Sequence, residues 1–263
     1  MLELYRPRIS FIHRTHARVK IIFTLVFILA VNLSSPNAWP VYILFFFMAI
    51  ALIILSRLGA DFVLRRSLFA FPFLLSAIPL IFWGPEPHIV LDIAGFFSLP
   101  VSPEGIARCA SILIKSWLSI LAAIILTGTT TFQDLIFGMR KFHVPLVLIS
   151  IIEMMWRYLF VMVDEVTRLL RARNSRSSIS QNGHKAGGSI LWRASVTGNM
   201  AGSLFLRSIE RSERVYAAML SRGYNGELLE DITNGYTKTD EIKLVFSVVL
   251  VLLVYISGVL FGR

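Results

Sequence analysis

The sequence has very little cysteine, few acidic residues and no proline after Pro145. A single cysteine, Cys109, excludes an internal disulfide and any cysteine metal cluster. Asp and Glu number 16 against 26 Lys and Arg, so the formal net charge is +10. Because proline is absent after Pro145, the remaining residues are free to form long uninterrupted helices.

The motifs of the common enzyme classes are also missing. Residues 183–189, GHKAGGS, contain glycines and a lysine but not the GxxxxGK[ST] order of a phosphate-binding loop. The five histidines form no HExxH, and no Ser/His/Asp or Cys/His grouping is indicated. His88 and Asp92 are four residues apart, as two metal ligands on one helix would be. Pro85 and Pro87 argue against a helix there, so a capping or surface role fits His88 better. The sequence predicts a non-catalytic chain without a cofactor or metal site.

What the sequence does have is hydrophobicity. Hydrophobic residues make up 56% of the chain and charged residues 16%, with a mean hydropathy of +0.70. These values lie outside the usual range of soluble domains. In a membrane protein, excess Lys and Arg indicate orientation and contact with anionic headgroups rather than nucleic acid. We therefore predict an all-α polytopic membrane protein whose surroundings are the lipid bilayer, with no nucleic-acid partner.

Five apolar segments predict membrane spans. In chain order they cover residues 21–33, 41–55, 68–83, 111–127 and 244–260. Residues 84–110 are rich in proline and glycine and poor in basic groups, as an outside loop would be. The first twenty residues are too basic for a cleavable signal, and the apolar run that follows is too long.

The segment 145–163 is long enough to cross but carries Glu153 and Arg157 four residues apart near its middle. If it crossed, the 12 basic residues of 165–243 would lie outside. If it does not, 22 basic residues lie inside and three outside, as the positive-inside rule favours. We predict an oblique or interfacial helix with Glu153 and Arg157 paired, and a cytoplasmic N-terminus and 165–243 segment. The alternative is a sixth span with a buried ion pair.

The predicted organisation has three parts within a multi-pass protein of the cell (inner) membrane. Residues 1–144 form an N-terminal membrane region with four spans, 145–241 a helical cytoplasmic or interfacial module, and 242–263 the final span. Within the module, 146–176 is predicted to be one long helix that becomes basic, and 177–188 a polar turn. Gly198 and Gly202, at helical spacing, are typical of a close helix crossing or a hinge.

Residues 203–226 predict a basic amphipathic helix. Ser203 is the expected N-cap, Gly223 the left-handed residue after the last turn, and Glu210 a partner for Arg214. The helical projection places on one side Phe205, Ile209, Tyr216 and Met219, and on another Arg207, Arg211, Arg214 and Arg222. By itself, this pattern is equally typical of a solvated face over a core.

Two segments resemble the signatures of T components of energy-coupling factor (ECF) transporters, in the cobalt-type CbiQ branch. Residues 154–176, MMWRYLFVMVDEVTRLLRARNSR, resemble the first signature, and 198–226, GNMAGSLFLRSIERSERVYAAMLSRGYNG, the second. The N-terminal ARVKIIFTL and the later SPEGIARCASILIKSWLSILAAIIL are similar as well. The resemblance covers most of the chain.

The resemblance implies a coupling subunit between two ATPase subunits and a metal-binding membrane S component (CbiM-like), with a small accessory membrane subunit (CbiN-like) in some systems. ATP would be bound by the ATPases, and this chain would hold no cofactor. Two x-Arg-x motifs at helix ends would dock in grooves of the ATPases. They align with Ser175-Arg176-Ser177 and Ser221-Arg222-Gly223. The usual form is Ala-Arg-Gly, so the first motif departs on both flanks, and Arg173 lies one turn earlier on nearly the same face.

Cobalt is the substrate that the resemblance favours, with nickel next. A T component shared among vitamin-binding subunits is a further alternative. From another class, a membrane scaffold with a basic lipid-binding module would fit the composition, and only stable capture of ATPases separates it from a transporter. Arg207 and Arg211 are expected to be lipid-facing or solvated.

Overall fold

The computed structural model describes residues 5–8, 10–36, 38–69, 72, 79, 89–93, 97–101, 103–140, 142, 144–176, 189–225 and 237–261. Helices dominate these residues, so the predicted helical, polytopic fold class is confirmed. The elements, in order, are α1 (Ala17–Leu33), α2 (Trp39–Ser56), α3 (Ala60–Leu68), β1 (Ile89–Ile93), β2 (Phe97–Val101), α4 (Pro103–Thr129), α5 (Phe132–Arg140), α6 (Leu146–Arg176), α7 (Ile190–Ser221) and α8 (Lys238–Phe261).

The chain divides into two compact units. The scaffold unit contains Met1–Phe142 and Ile232–Arg263, and the helix-pair unit contains His143–Asp231. The predicted functional limits at 144/145 and 241/242 stay predictions, because compactness alone does not test them.

Among the described residues, four helices are long and apolar enough to cross a membrane. The qualifying stretches are Trp39–Ser56, Gly105–Thr129, Leu146–Arg176 and Lys238–Val259. Three of them contain predicted spans, and α1, with 17 residues, contains the first predicted span. Most of the predicted third span, 68–83, lies outside the described residues. Helix α6 has the length and composition to cross, and its location at the interface stays a prediction.

The core of the scaffold unit lies where α1 packs against α4 and α8, and α2 packs against the same two helices. Phe27 and Phe45 are fully buried there and meet edge to face, with ring centroids 5.5 Å apart. Leu118 of α4 and Val251 of α8 are buried in the same cluster. Since aromatic pairs add to the stability given by burial alone, this contact fixes α1 against α2.

Two lysines fill the hydrogen-bonding positions that the ends of α1 and α4 leave open. The buried Lys20 Nζ donates to the carbonyl oxygen of Thr129 at the end of α4, 3.0 Å away. In return, Lys115 Nζ of α4 donates to the carbonyl oxygens of Asn32, at 3.1 Å, and Ser34, at 2.6 Å. The last carbonyls of a helix lack partners within it. The two helices therefore run in opposite directions, each carrying a cation to the other's C-terminus.

The N-terminal arm is attached to this same end of α4. The Arg6 backbone N–H donates to the Gly128 carbonyl oxygen at 3.1 Å, and the Arg6 carbonyl lies 3.0 Å from His13 Nε2. His13 Nδ1 is 2.7 Å from Ser10 Oγ. Burial lowers the pKa of His13, an effect that the Arg6 carbonyl partly offsets and the charge on Lys20 adds to. A neutral His13 can then use both ring nitrogens to hold the arm.

A β-hairpin occupies part of the predicted 84–110 loop. Strands β1 and β2 pair in antiparallel register, with Leu91 opposite Leu99 and Ile93 opposite Phe97. The prediction that 84–110 faces outside stays a prediction, and the β-branched and aromatic residues within it favour the paired strands. Asp92 lies in a strand, so the helical spacing from His88 does not apply. His88 itself lies outside the described residues.

Candidate functional site

Helix α6 is the first half of the helix-pair unit and has the limits predicted for it, Leu146–Arg176. It begins directly after Pro145, which cannot continue a helix on its N-terminal side. Its last turn carries Arg173 and Arg176, whose positive charges are favourable at the negative end of the helix dipole. The sequence alone predicted both ends of α6 because no proline or glycine interrupts residues 146–176.

Helix α7 begins fourteen residues earlier than predicted. Its N-cap is Ser189, whose hydroxyl accepts from the Trp192 backbone N–H at 3.3 Å. The assignment of Ser203 as N-cap was wrong, because 189–202 continues directly into the basic helix. Ser203 Oγ instead donates to the Met200 carbonyl oxygen, as hydroxyls inside helices commonly do. Among the described residues, nothing lies within 4 Å of a side chain built at the nearby Gly198 or Gly202.

The end of α7 is fixed by a glycine-dependent motif, as predicted. Gly223 has φ +82°, a conformation that other residues rarely adopt. Its N–H donates to the Leu220 carbonyl oxygen at 3.0 Å, and the Tyr224 N–H donates to that of Met219, also at 3.0 Å. This pair of bonds defines a Schellman motif, which satisfies carbonyls that the helix leaves open. The motif makes Arg222 the last residue before the chain turns away.

A cavity of about 580 Å³ lies between the first half of α6 and the second half of α7. Its wall is mostly apolar and rich in methionine and tyrosine, and Arg211 is its one charged residue. The lining residues are Val147, Ser150, Ile151, Met154, Met155, Tyr158, Met162, Ser208, Arg211, Ser212, Val215, Tyr216, Met219 and Tyr224. The start of α6 therefore lies near the end of α7.

The half-buried stripe of α7 coincides only at Met219 with the apolar side given by the helical projection. Phe205, Ile209 and Tyr216 are 65%, 40% and 57% exposed, whereas the half-buried stripe includes Val215 and Met219. The projection identified an apolar side but not the side that is covered. In a unit of only two helices, many apolar side chains have no neighbour to cover them.

Of the two arginines expected to be lipid-facing or solvated, Arg207 is exposed and Arg211 is half-buried. Arg207 Nη1 lies 3.2 Å from Glu165 Oε1 and joins α7 to α6, with Glu165 22% exposed. Arg207 is thus solvated, as expected, with its side chain 60% exposed, although it also pairs with Glu165, whereas Arg211 is partly covered at the cavity wall. The half-buried positions 204, 208, 211, 215 and 219 form a continuous helical stripe, which is the signal in the sequence that identifies Arg211.

Two predicted ion pairs within single helices are not formed. Glu153 is half-buried and Arg157 exposed on α6, and the two are not within ion-pair distance. The same holds for Glu210 and Arg214 on α7. Such pairs contribute only about 0.2–0.5 kcal/mol on an isolated helix, too little to fix flexible side chains.

The two predicted docking motifs end different helices. Ser175 and Arg176 are exposed at the end of α6, where Ser175 Oγ donates to the Arg171 carbonyl oxygen at 3.0 Å. Ser177 lies outside the described residues. In the other motif, Ser221, Arg222 and Gly223 are all exposed, and Ser221 Oγ donates to the Ala218 carbonyl oxygen at 2.9 Å.

The structure keeps these two arginines apart. Met162, the last cavity residue of α6, precedes Arg176 by 14 residues, or about 21 Å of helix. Arg222 instead adjoins Met219 and Tyr224, which line the cavity. The helix-pair unit therefore presents one exposed guanidinium beside its cavity and one at the far end of α6.

A helix pair with an exposed arginine at each of two ends is the arrangement that the T-component resemblance implies. The family model described as cobalt transport protein, CbiQ, matches residues 9–232. The chain belongs to the CbiQ family. The match spans both units and includes both arginine motifs.

Named relatives of this CbiQ-family chain agree. The energy-coupling factor transporter transmembrane protein EcfT of Brevibacillus brevis is 27% identical over 95% of this chain and 95% of its own length. The cobalt transport protein CbiQ of Rhodobacter capsulatus is 26% identical over 69% of this chain and 75% of its own length. A putative fused cobalt transport protein CbiMQ of Methanocorpusculum labreanum is 25% identical over 58% of this chain and 26% of its own length.

Together, the family and the helical architecture make the chain a multi-pass T component of an ECF transporter, a transport subunit rather than a catalyst. In the part of the chain that the structure describes, no three His, Cys, Asp or Glu side chains are grouped to hold a metal.

Proposed function

We propose that this T component couples two ATPase subunits to a membrane subunit that binds a transition metal, which we assign as cobalt. The observation that carries the proposal is the pair of exposed arginines, Arg176 and Arg222, at the C-termini of the two helices of one unit. Family membership alone does not specify the docking residues, the ATPase partners or the transported ion, and we propose all three.

The chemistry of docking follows from the arginine side chain. A guanidinium stays charged at every physiological pH and presents five N–H donors in a planar fork. At a helix C-terminus, the positive charge of the guanidinium is stabilised by the negative end of the helix dipole. The unpaired backbone carbonyl groups at that end remain available beside it. The fork matches a carboxylate, or several carbonyl oxygens, in a groove of the partner.

The separation of Arg176 from Arg222 favours two partners over one. The arginines lie at different ends of the helix pair, so each is available to a different ATPase subunit. The Glu165–Arg207 ion pair joins the two helices between these ends. A push on one helix end would then move the pair together, which is what conversion of ATPase closure into movement of the substrate-binding subunit requires.

The assignment of cobalt and of a CbiM-like partner is supported by the names of relatives. The Rhodobacter capsulatus relative is a named cobalt transport protein, and the Methanocorpusculum labreanum relative carries CbiM and CbiQ in one name. We assign metal binding to that separate subunit, in some systems with a CbiN-like accessory subunit. The basic residues of the N-terminus and of 165–243 orient both segments toward the cytoplasm, where ATP is available.

A T component for another substrate is the second candidate. It is favoured by coverage, because the relative named EcfT without a metal matches 95% of this chain, against 69% for the named cobalt protein. Nickel, or a set of vitamin-binding subunits that share one T component, are the substrates that this candidate includes.

Co-purification with metal analysis tests the proposal. The tagged full chain is expressed with the ATPase and membrane-subunit genes of the same genome and purified in mild detergent. We expect ATPase and membrane subunits to co-purify with stoichiometric cobalt, and the chain alone to bind no cobalt in calorimetry. A chain that captures no ATPase overturns the proposal and favours a scaffold, whereas a complex holding nickel or a vitamin in place of cobalt supports the second candidate.

A further inference from the structure

The ends of four helices lie together at one end of the scaffold unit. Lys20 near the start of α1 reaches Thr129 at the end of α4, and Arg6 of the arm bonds to Gly128 beside it. Helix α2 ends at Ser56, and Leu58 lies in the short connection between α2 and α3. A Cβ built at Gly128 of α4 would lie 3.0 Å from the Leu58 side chain, so this connection packs against the end of α4. Helix α8 begins here as well, with Lys243 Nζ 5.1 Å from the centroid of the Phe11 ring in the arm. Because α2, α4 and α8 have membrane-spanning length and composition, this end lies at a membrane surface.

At this end, two arginines from distant parts of the chain share one aromatic ring. The guanidinium carbon of Arg6 lies 4.0 Å from the centroid of the Phe62 ring, and that of Arg66 lies 4.5 Å from it. The two guanidinium carbons are thus no more than 8.5 Å apart, the sum of these distances. Cation–π attraction holds the faces of the guanidiniums and leaves N–H groups at their edges available.

Within the described part of the chain, neither guanidinium has an acidic partner. Among the described residues, no carboxylate lies within ion-pair distance of Arg6 or Arg66. The nearby carboxylate, Asp61, is bound to Arg65, whose Nε is 2.8 Å from Asp61 Oδ1. Two positive charges held this close repel each other, and an anion that contacts both removes the repulsion. A phosphate group has the oxygen geometry for two guanidiniums at such a separation.

We propose that Arg6 and Arg66, held by Phe62, bind the phosphate of an anionic phospholipid headgroup. The position of the site selects a lipid over a soluble phosphate, because it lies where three helices of spanning length reach the surface. The apolar flank of α3 supports the same source. Leu64, Leu68 and Phe69 are 48%, 58% and 82% exposed and would contact acyl chains beside the headgroup.

Lipid titration of the full chain, purified alone in mild detergent, tests this site. Native mass spectrometry measures binding of dioleoyl phosphatidylglycerol, with dioleoyl phosphatidylcholine as the zwitterionic comparison. We expect the wild type to bind the anionic lipid at least about tenfold more tightly, as charge-assisted phosphate contacts imply. The double variant Arg6→Gln, Arg66→Gln should lose this preference. If it does not fold, the single variant Arg66→Gln should show a partial loss.

The matched control is Arg8→Gln, Arg65→Gln, which removes the same charge two residues after Arg6 and one residue before Arg66. We expect it to keep the preference for phosphatidylglycerol. Equal loss in both double variants would overturn the site, since it would indicate diffuse surface charge. Retention of the preference in Arg6→Gln, Arg66→Gln would overturn it too. A third arm adds inorganic phosphate at millimolar concentration, and full displacement of the lipid there would assign the site to a soluble phosphate and overturn the lipid proposal.

Discussion

At the scale of single residues, the position of Arg222 depends on its neighbour. Gly223 adopts φ +82° and donates its N–H to the Leu220 carbonyl oxygen, which ends α7 directly after Arg222. The Arg222 side chain is exposed and forms no ion pair with another described residue. Its orientation therefore comes from the backbone of the residue that follows.

Gly223→Ala should reduce ATPase retention although Arg222 is unchanged. A left-handed conformation costs a residue with a Cβ roughly 1–2 kcal/mol, so the helix end should rearrange. Co-purification of the ATPases with the full chain measures the effect, and Gly202→Ala is the control, because open space surrounds Gly202. Full retention in Gly223→Ala, equal to that of the control, would show that the turn does not position Arg222.

At the scale of helices, the sequence predicted the ends of a helix better than it predicted which face of the helix is covered. Helix α6 matched its prediction at both ends because Pro145 and an uninterrupted helical sequence define it. Helix α7 was predicted too short because Ser203 looks like a cap but lies inside a longer helix. Its half-buried stripe shares only Met219 with the projected apolar side, because hydrophobic periodicity shows which side is apolar and not which neighbour is present. The Phe62–Arg6–Arg66 cluster joins residues about 60 positions apart in the chain, so no local pattern predicts it.

Close contact between α2 and α8 gives a prediction at this scale. A Cβ added at Gly258 would lie 2.7 Å from Cγ2 of Val41, which is 1% exposed and has no room to move. Gly258→Ala should lower the thermal unfolding midpoint in detergent, with an overpacking cost of about 1–3 kcal/mol. Gly198→Ala, on a helix surface with open space, should instead be neutral or gain up to about 1 kcal/mol. Equal stabilisation by both variants would contradict the packing described here.

At the scale of the whole molecule, the chain separates a scaffold from a helix pair. The scaffold unit contains the buried core and the lysine-capped helices. The helix-pair unit exposes much of its apolar surface, including Ile190, Leu191 and Trp192 at 85%, 81% and 52%. Hydropathy and charge counts predicted a basic module between apolar spans, and the functional limits of that module stay a prediction. These counts carry no signal for the hairpin, which depends on the pairing of two short neighbouring segments.

The account rests on the two arginines as docking points for the ATPases, and the test is ATPase retention by the double variant Arg176→Ala, Arg222→Ala. Each truncation should cost roughly 2–4 kcal/mol of interface energy if its guanidinium fills a desolvated pocket. Arg→Lys should recover only part, because an ammonium lacks the planar fork.

The matched control is Arg168→Ala, Arg214→Ala, which removes an exposed arginine eight residues earlier on each of the same helices. Membrane insertion and accumulation should be unchanged in both variants. We predict that the control keeps its ATPases and its metal uptake, while the Arg176→Ala, Arg222→Ala chain loses at least about nine-tenths of the bound ATPase. A double variant that retained its ATPases and full uptake would contradict the coupling role.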